Sequence, residues 1–203
     1  MFNSEKERYD EVKRYNNFLQ ICEEEKFEPS EEMKAWLFDR GFFSAPASSK
    51  YHGAYDGGLY EHSCNVFYRL KDLTNKNRLV WKRPQSPFIV GMFHDLCKCD
   101  NYNRVLTPDP LDDITGNHHL PIVRFERNEN TLLKGHGAKS IILLSQFITL
   151  TDEEILCIRY HMGAYEKDEW QEYDQAIRKY ENCLWTHMAD MLASKIDEAE
   201  QGG

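Results

Sequence analysis

The run Phe88-Ile89-Val90-Gly91-Met92-Phe93 is apolar at every position and leads straight into His94-Asp95-Leu96, which constrains the chain more than any other segment. A stretch apolar all round belongs in the interior, so this one reads as a short central helix. Periodicity alone leaves a buried strand open. Either way it ends in an imidazole and a carboxylate side by side. Four further groups of the same kinds occur along the chain: His62 upstream, then His136, His161 and Asp190 downstream. Asp190 lies in the largely apolar stretch Leu184 to Leu192, where an ionised carboxylate is costly to bury without a cation. Nitrogen and carboxylate ligands together suit first-row divalent metals such as Mn, Fe, Ni, Co or Zn.

The remaining pattern is mostly helical. Tyr9, Val12, Tyr15, Phe18 and Leu19 predict a helix from a Ser4 cap to about Cys22. Pro29-Ser30-Glu31-Glu32 opens a second, which Gly41 ends, and Val66, Phe67, Leu70 and Leu73 define the buried face of a third over about 59–74. Further helices are expected over 137–148, from the capping-box start Thr151-Asp152-Glu153-Glu154 to His161, over 170–180 and over about 182–199. Between Asn101 and Asn130 the chain changes character. Pro108, Pro110, Gly116 and Pro121 break it up, and Pro121 to Arg127 alternates weakly, so a loop with a small β-hairpin is expected there.

With 203 residues, 41% hydrophobic and 13% aromatic, a single packed domain is expected over 1–203. Residues 1–43 read as a helical extension packed on a 44–200 core. No apolar stretch nears the roughly 20 residues of a membrane span, and Met1 to Lys6 has no apolar signal core. A cytoplasmic protein with six reduced cysteines is the expectation. Cys97 and Cys99, flanking Lys98, read as ordinary small buried residues rather than a zinc pair. The formal charge of −9 argues against long nucleic acid as a partner, because gripping many phosphates needs a basic face. The acidic runs Glu23 to Glu25, Glu31-Glu32, Asp152 to Glu154 and Asp197 to Glu200 read as solvated helix surface.

The ordered set His62, His94-Asp95, His136, His161, Asp190 resembles the HD-domain superfamily of metal-dependent phosphohydrolases. The surrounding residues agree: Tyr51-His52-Gly53-Ala54-Tyr55-Asp56-Gly57-Gly58-Leu59-Tyr60-Glu61-His62-Ser63 is similar to the H-x-A-Y-x-G-G-L-x-E-H-S/T entry of one branch. His94-Asp95-Leu96-Cys97-Lys98 resembles H-D-x-x-K, Gly135 to Ser140 resembles G-H-G-E-K-S, and Arg159 to Gly163 resembles R-x-H-M-G. Ala138 stands where that pattern often has Glu.

The resemblance implies an all-α helical bundle in which His62, His94, Asp95 and Asp190 hold one divalent ion. Asp95 bridges to a second, completed by His136 and His161. It implies a hydrolase that uses metal-activated water and no protein nucleophile, in keeping with the absence of a G-x-S-x-G-like sequence. Asp95 and Lys98 are the expected catalytic groups; His52, Tyr55, Lys98, Lys139 and Arg159 are candidate substrate contacts. A small phosphorylated substrate, a nucleotide or similar metabolite, is the expected partner.

Three other readings keep the same fold. The entry around His52 to His62 also resembles that of exoribonuclease HD domains, giving a 3′-5′ exonuclease acting on short nucleic-acid ends. A non-catalytic, metal-bound sensor module is the third class, and a di-iron oxygenase uses similar ligands. His118 and His119 read as an exposed turn, His187 as a neighbour of Asp190 on one helix face, and Trp36, Trp81, Trp170 and Trp185 as core or rim packing.

Overall fold

Eight α-helices and one antiparallel strand pair organise the described residues, 5–51, 53–109, 121–131, 133, 135–164 and 169–198, of a computed structural model. In chain order they are α1 (Glu5–Glu24), α2 (Glu31–Asp39), α3 (Gly58–Asn77), α4 (Ser86–Phe93), a 3₁₀ turn (Leu96–Asp100), β1 (Tyr102–Thr107), β2 (Ile122–Arg127), α5 (His136–Leu144), α6 (Asp152–Arg159), α7 (Trp170–Lys179), α8 (Asn182–Leu192) and a π turn (Ala193–Asp197). The molecule is therefore mostly helical with a small β insertion.

The apolar run does form a helix, and every residue of α4 is buried. It lies between α3 and α6, while α8 packs on α3, α6 and α7. The α3–α4 contact is close because Gly91 has no side chain. A Cβ there would stand 2.5 Å from the Phe67 Cα. This approach brings the α4 end of His94 level with His62 in the first turns of α3.

The core around α4 is aromatic. Phe18 of α1, Phe42, Phe43, Phe67, Phe88 and Phe93 are all but fully buried. Phe88 meets Phe67 at a centroid distance of 5.4 Å, and Phe93 meets Phe18 at 6.2 Å and Phe42 at 6.1 Å. Each buried ring contributes about 1.5–3 kcal/mol of transfer free energy, so α1 is tied into the core through its Phe18.

Local signals set several boundaries. The Ser30 hydroxyl accepts from the Met33 amide at the start of α2, and Thr151 with Glu154 forms the capping box of α6. The predicted hairpin is present, pairing Tyr102 with Arg127 through to Thr107 with Ile122. The Ser4 cap and the residues joining the strands, His118 and His119 among them, lie outside the described residues.

Two expectations are corrected. The run Asp152 to Glu154, and Glu198 of the acidic tail, are not simply solvated surface. Glu154 is fully buried and accepts from Arg83 Nε and Ser86 Oγ, and the buried Glu153 accepts from the Lys82 amide and Asn182 Nδ2. Glu198 is buried as well. In each case burial is made possible by donors arriving from distant segments, which the run itself does not announce. The second correction concerns helix ends. α6 stops at Arg159, with His161 in the turn beyond, and the last helix changes at Ala193 into a π turn; its expected end at Ala199 lies outside the described residues.

Candidate metal centre

Five side chains from five segments converge around Asp95, the sixth member of the cluster. His62 comes from α3, His94 from the residue ending α4, His136 from the first position of α5, His161 from the turn after α6, and Asp190 from inside α8. The rings of His62, His94, His161 and His136 follow one another at centroid distances of 5.2, 4.8 and 5.0 Å. Five of the six are at least nine-tenths buried at the side chain; His136 is the exception at 34% exposure.

The two oxygens of Asp95 face different partners. Oδ2 lies 3.6 Å from His62 Nε2 and 3.5 Å from His94 Nε2. Oδ1 lies 2.7 Å from His136 Nε2 and 3.4 Å from His161 Nε2. Asp190 Oδ1 adds a contact of 3.2 Å to His62 Nε2. Three groups of ligand-type atoms close enough to hold a metal ion result: His62, His94 and Asp190; His94, Asp95 and His161; and Asp95, Cys97 and His136.

The outward nitrogens explain why Nε2 points inward. His94 Nδ1 donates to the Gly91 carbonyl and His161 Nδ1 to the Ile158 carbonyl, both at 2.8 Å. These carbonyls lie in the last turns of α4 and α6, where backbone acceptors lack helical partners. His62 Nδ1 donates to Glu198 Oε1 at 2.9 Å. With Nδ1 engaged in each of these three rings, Nε2 is the nitrogen left to face the cluster, able to offer its lone pair to an ion once any proton on it is displaced. His136 Nδ1 contacts Cys97 Sγ at 3.4 Å.

Lone pairs so placed call for positive charge. The Nε2 atoms of His62 and His94 face each other at 3.2 Å, a spacing that a proton on one ring or a cation held by both would bridge. Asp95 Oδ1, His136 Nε2 and His161 Nε2 are buried yet make no hydrogen bond of good geometry among the described residues. They face one another at 2.7 and 3.4 Å, and buried polar groups without a well-formed hydrogen bond invite a further partner. Four imidazoles and two carboxylates form a donor set that suits a first-row divalent ion. The residues fit a metal.

The electrostatics agree. Burial opposes ionisation of Asp95, but the Lys98 ammonium and then the His136 and His94 rings hold its carboxyl well below the usual range. Asp190 is likewise lowered: desolvation is outweighed by His62, His94 and His161. Burial pulls His62 down, yet Asp190 and Glu198 raise it to about 9; burial also opposes His136, which Asp95 and Cys97 raise to about 10. His161 moves the other way, lowered chiefly by burial. Strongly perturbed groups of opposite tendency packed together make this cluster a candidate functional site.

The expected substrate contacts are more scattered. Lys98 Nζ stands 2.6 Å from Asp95 Oδ2, inside the cluster. Lys139 is buried with its ammonium on Asp100 and Asn101. Arg159 pairs with Glu169 at 2.6 Å and lies over the Tyr160 ring. Tyr55 donates to Glu61, and His52 lies outside the described residues. His187 Nδ1 donates to the His161 carbonyl at 2.7 Å, bracing the turn that carries that ring. Sequence reasoning passed over two contacts: Glu198, hidden in an acidic tail, and Cys97, whose sulfur reaches His136. A cavity of about 280 Å³, bordered by Arg14, Asp56, Cys99, Tyr102, Arg104 and Phe125, includes none of the converging six.

No family model, curated protein or solved structure matches the chain. Among the described residues no helix is long and apolar enough to cross a membrane.

Proposed function

We propose that this protein is a metal-dependent phosphohydrolase of the HD type, which cleaves a phosphate ester of a nucleotide or similarly small phosphorylated metabolite. The observation carrying the proposal is the position of Asp95, with one oxygen toward His62 and His94 and the other toward His136 and His161. On this reading His62, His94, Asp95 and Asp190 would hold one divalent ion, and Asp95, His136 and His161 would hold a second. Such ions supply Lewis acidity toward a phosphoryl oxygen and toward the attacking water.

The chain's own residues then have defined tasks. Asp95 stays ionised and holds the two halves of the centre in one geometry. Lys98 offers a positive charge beside Asp95, suited to an equatorial phosphoryl oxygen as a flexible point charge. His136 is the most exposed of the six at the side chain, so substrate enters from its side. There the first turn of α5 adds backbone N–H groups and the positive end of a helix dipole. The buried flanks of His94 and His161 exclude bulk water from the other side. A small substrate fits a chain of net charge −9 better than a polynucleotide does.

The test is turnover by purified protein loaded in turn with Mn²⁺, Fe²⁺, Co²⁺, Ni²⁺ and Zn²⁺. Nucleoside monophosphates, cyclic nucleotides, a model phosphodiester and a short oligonucleotide are offered. Release of phosphate or nucleoside from a mononucleotide is the expected result. Faster cleavage of the oligonucleotide transfers the reading to an exonuclease. Tight metal binding without turnover of any substrate leaves a non-catalytic module, and metal-dependent dioxygen consumption leaves an oxygenase.

A further inference from the structure

We infer that Glu198 is a positioning residue for the metal centre, fixing which nitrogen of His62 faces the cations. The inference rests on the metal-centre reading above and extends it to a residue outside the six.

His62 has a problem that His94 and His161 do not. Those two rings stand at helix ends and give Nδ1–H to carbonyls three residues back. His62 is within α3, where carbonyls are spent on the helix's own i to i+4 bonds. Its acceptor must come from elsewhere, and it comes from 136 positions further along the chain. Glu198 Oε1 lies 2.9 Å from His62 Nδ1. The Glu198 side chain is only 6% exposed, and Asn65 Nδ2 donates to the same oxygen at 3.2 Å.

The placement is held by the residues just before it. Arg69 of α3 grips the Asp197 carboxylate through Nε, at 2.7 Å, and through its terminal nitrogen. A fork of this kind sets direction as well as distance. The π turn over Ala193–Asp197 widens the last turn and delivers Glu198 back to α3. An anionic acceptor on the outer nitrogen also makes an imidazole a stronger ligand than a carbonyl does. Glu198 touches neither the expected cations nor substrate; it acts through His62.

The experiment measures metal binding, separately from activity. Chelator-stripped protein is titrated calorimetrically with Mn²⁺ and with Co²⁺, for the parent, Glu198→Ala and Glu198→Gln, and each stripped protein is melted. Removing such a partner costs about 10- to 100-fold in metal affinity. Glu198→Ala is expected to lose that much and to change the visible spectrum of the Co²⁺ form. Glu198→Gln, which keeps an acceptor oxygen, is expected to retain most of the affinity. A purely structural role would lower the melting temperature of the stripped protein while leaving affinity and spectrum as in the parent. Parent-like affinity in Glu198→Ala overturns the assignment. If that variant does not fold, Glu198→Gln decides: a few-fold loss supports the assignment, and an affinity and spectrum identical to the parent overturn it. A parent that binds neither ion removes the metal centre itself, an outcome distinct from a metal-binding parent matched by both variants.

Discussion

Lys98 Nζ and Asp95 Oδ2 stand 2.6 Å apart, with side chains 10% and 2% exposed. The ammonium is three residues from the carboxylate, across the 3₁₀ turn that follows α4. Breaking a buried pair by removing one partner leaves an uncompensated charge and typically costs 3–5 kcal/mol. His136 remains beside Asp95 Oδ1, so Lys98→Met is expected at the low end, about 3 kcal/mol. Added Mn²⁺ should recover part of the loss by replacing the missing charge. Denaturant melts with and without Mn²⁺ check this; equal stability of parent and variant under both conditions would refute it.

The raised His62 and His136 give the stripped protein a distinct pH response. Both rings bind protons more tightly folded, at about 9 and about 10, than at the ordinary value of 6.5. Their stabilisation is therefore complete below pH 6.5 and lost as pH climbs through 9 to 10. The melting temperature of chelated protein should fall across that window. Metal must displace the same protons, so Mn²⁺ affinity should rise over it. A melting temperature that rises with pH in chelator would contradict the assignment.

Substitution at the six should separate two ion positions. Asp95→Ala removes the carboxylate common to both and should abolish metal retention. Asp190→Asn and His136→Ala each weaken one side only, leaving about one ion per chain of an expected pair. Elemental analysis after gel filtration reads the stoichiometry directly. Retention of the parental metal content by Asp95→Ala would rule out the bridging role.

The α5–α6 contact offers a packing test. A Cβ on Gly137 would lie 2.4 Å from the Ile158 carbonyl oxygen and 2.7 Å from that of Arg159. Ile158 is also the acceptor that orients His161. Gly137→Ala is expected to destabilise by about 3 kcal/mol, at the upper part of the usual overpacking range. It should also weaken metal binding through both His136 and His161. Calorimetric melting and Mn²⁺ titration of one sample would show whether the two effects travel together.

Much of the site was legible because its chemistry is carried by residue type and order. His94-Asp95 closing an apolar run marked a buried centre, and Asp190 in an apolar stretch asked for a cation. The helices followed from periodicity and from caps such as Ser30 and Thr151. The outer partners were not legible. Glu198 and Glu154 sit in acidic runs whose local pattern is that of solvated surface, and only contacts from distant segments bury them. Lys139 carried a motif-like signal, but its ammonium is engaged by Asp100, at the end of the 3₁₀ turn. α6 ends two residues short of His161, whose ring closes the helix by bonding back to the Ile158 carbonyl.

A single carboxylate placed between two sets of imidazoles has a thermodynamic consequence. Whatever occupies one side of Asp95 alters the electron density and orientation that the other side receives, and such linkage is reciprocal. If ions occupy both sides, their filling is expected to be linked, and a binding isotherm for the parent should depart from that of two identical, unlinked sites. The sign of the departure reports whether organising Asp95 or crowding it with charge dominates.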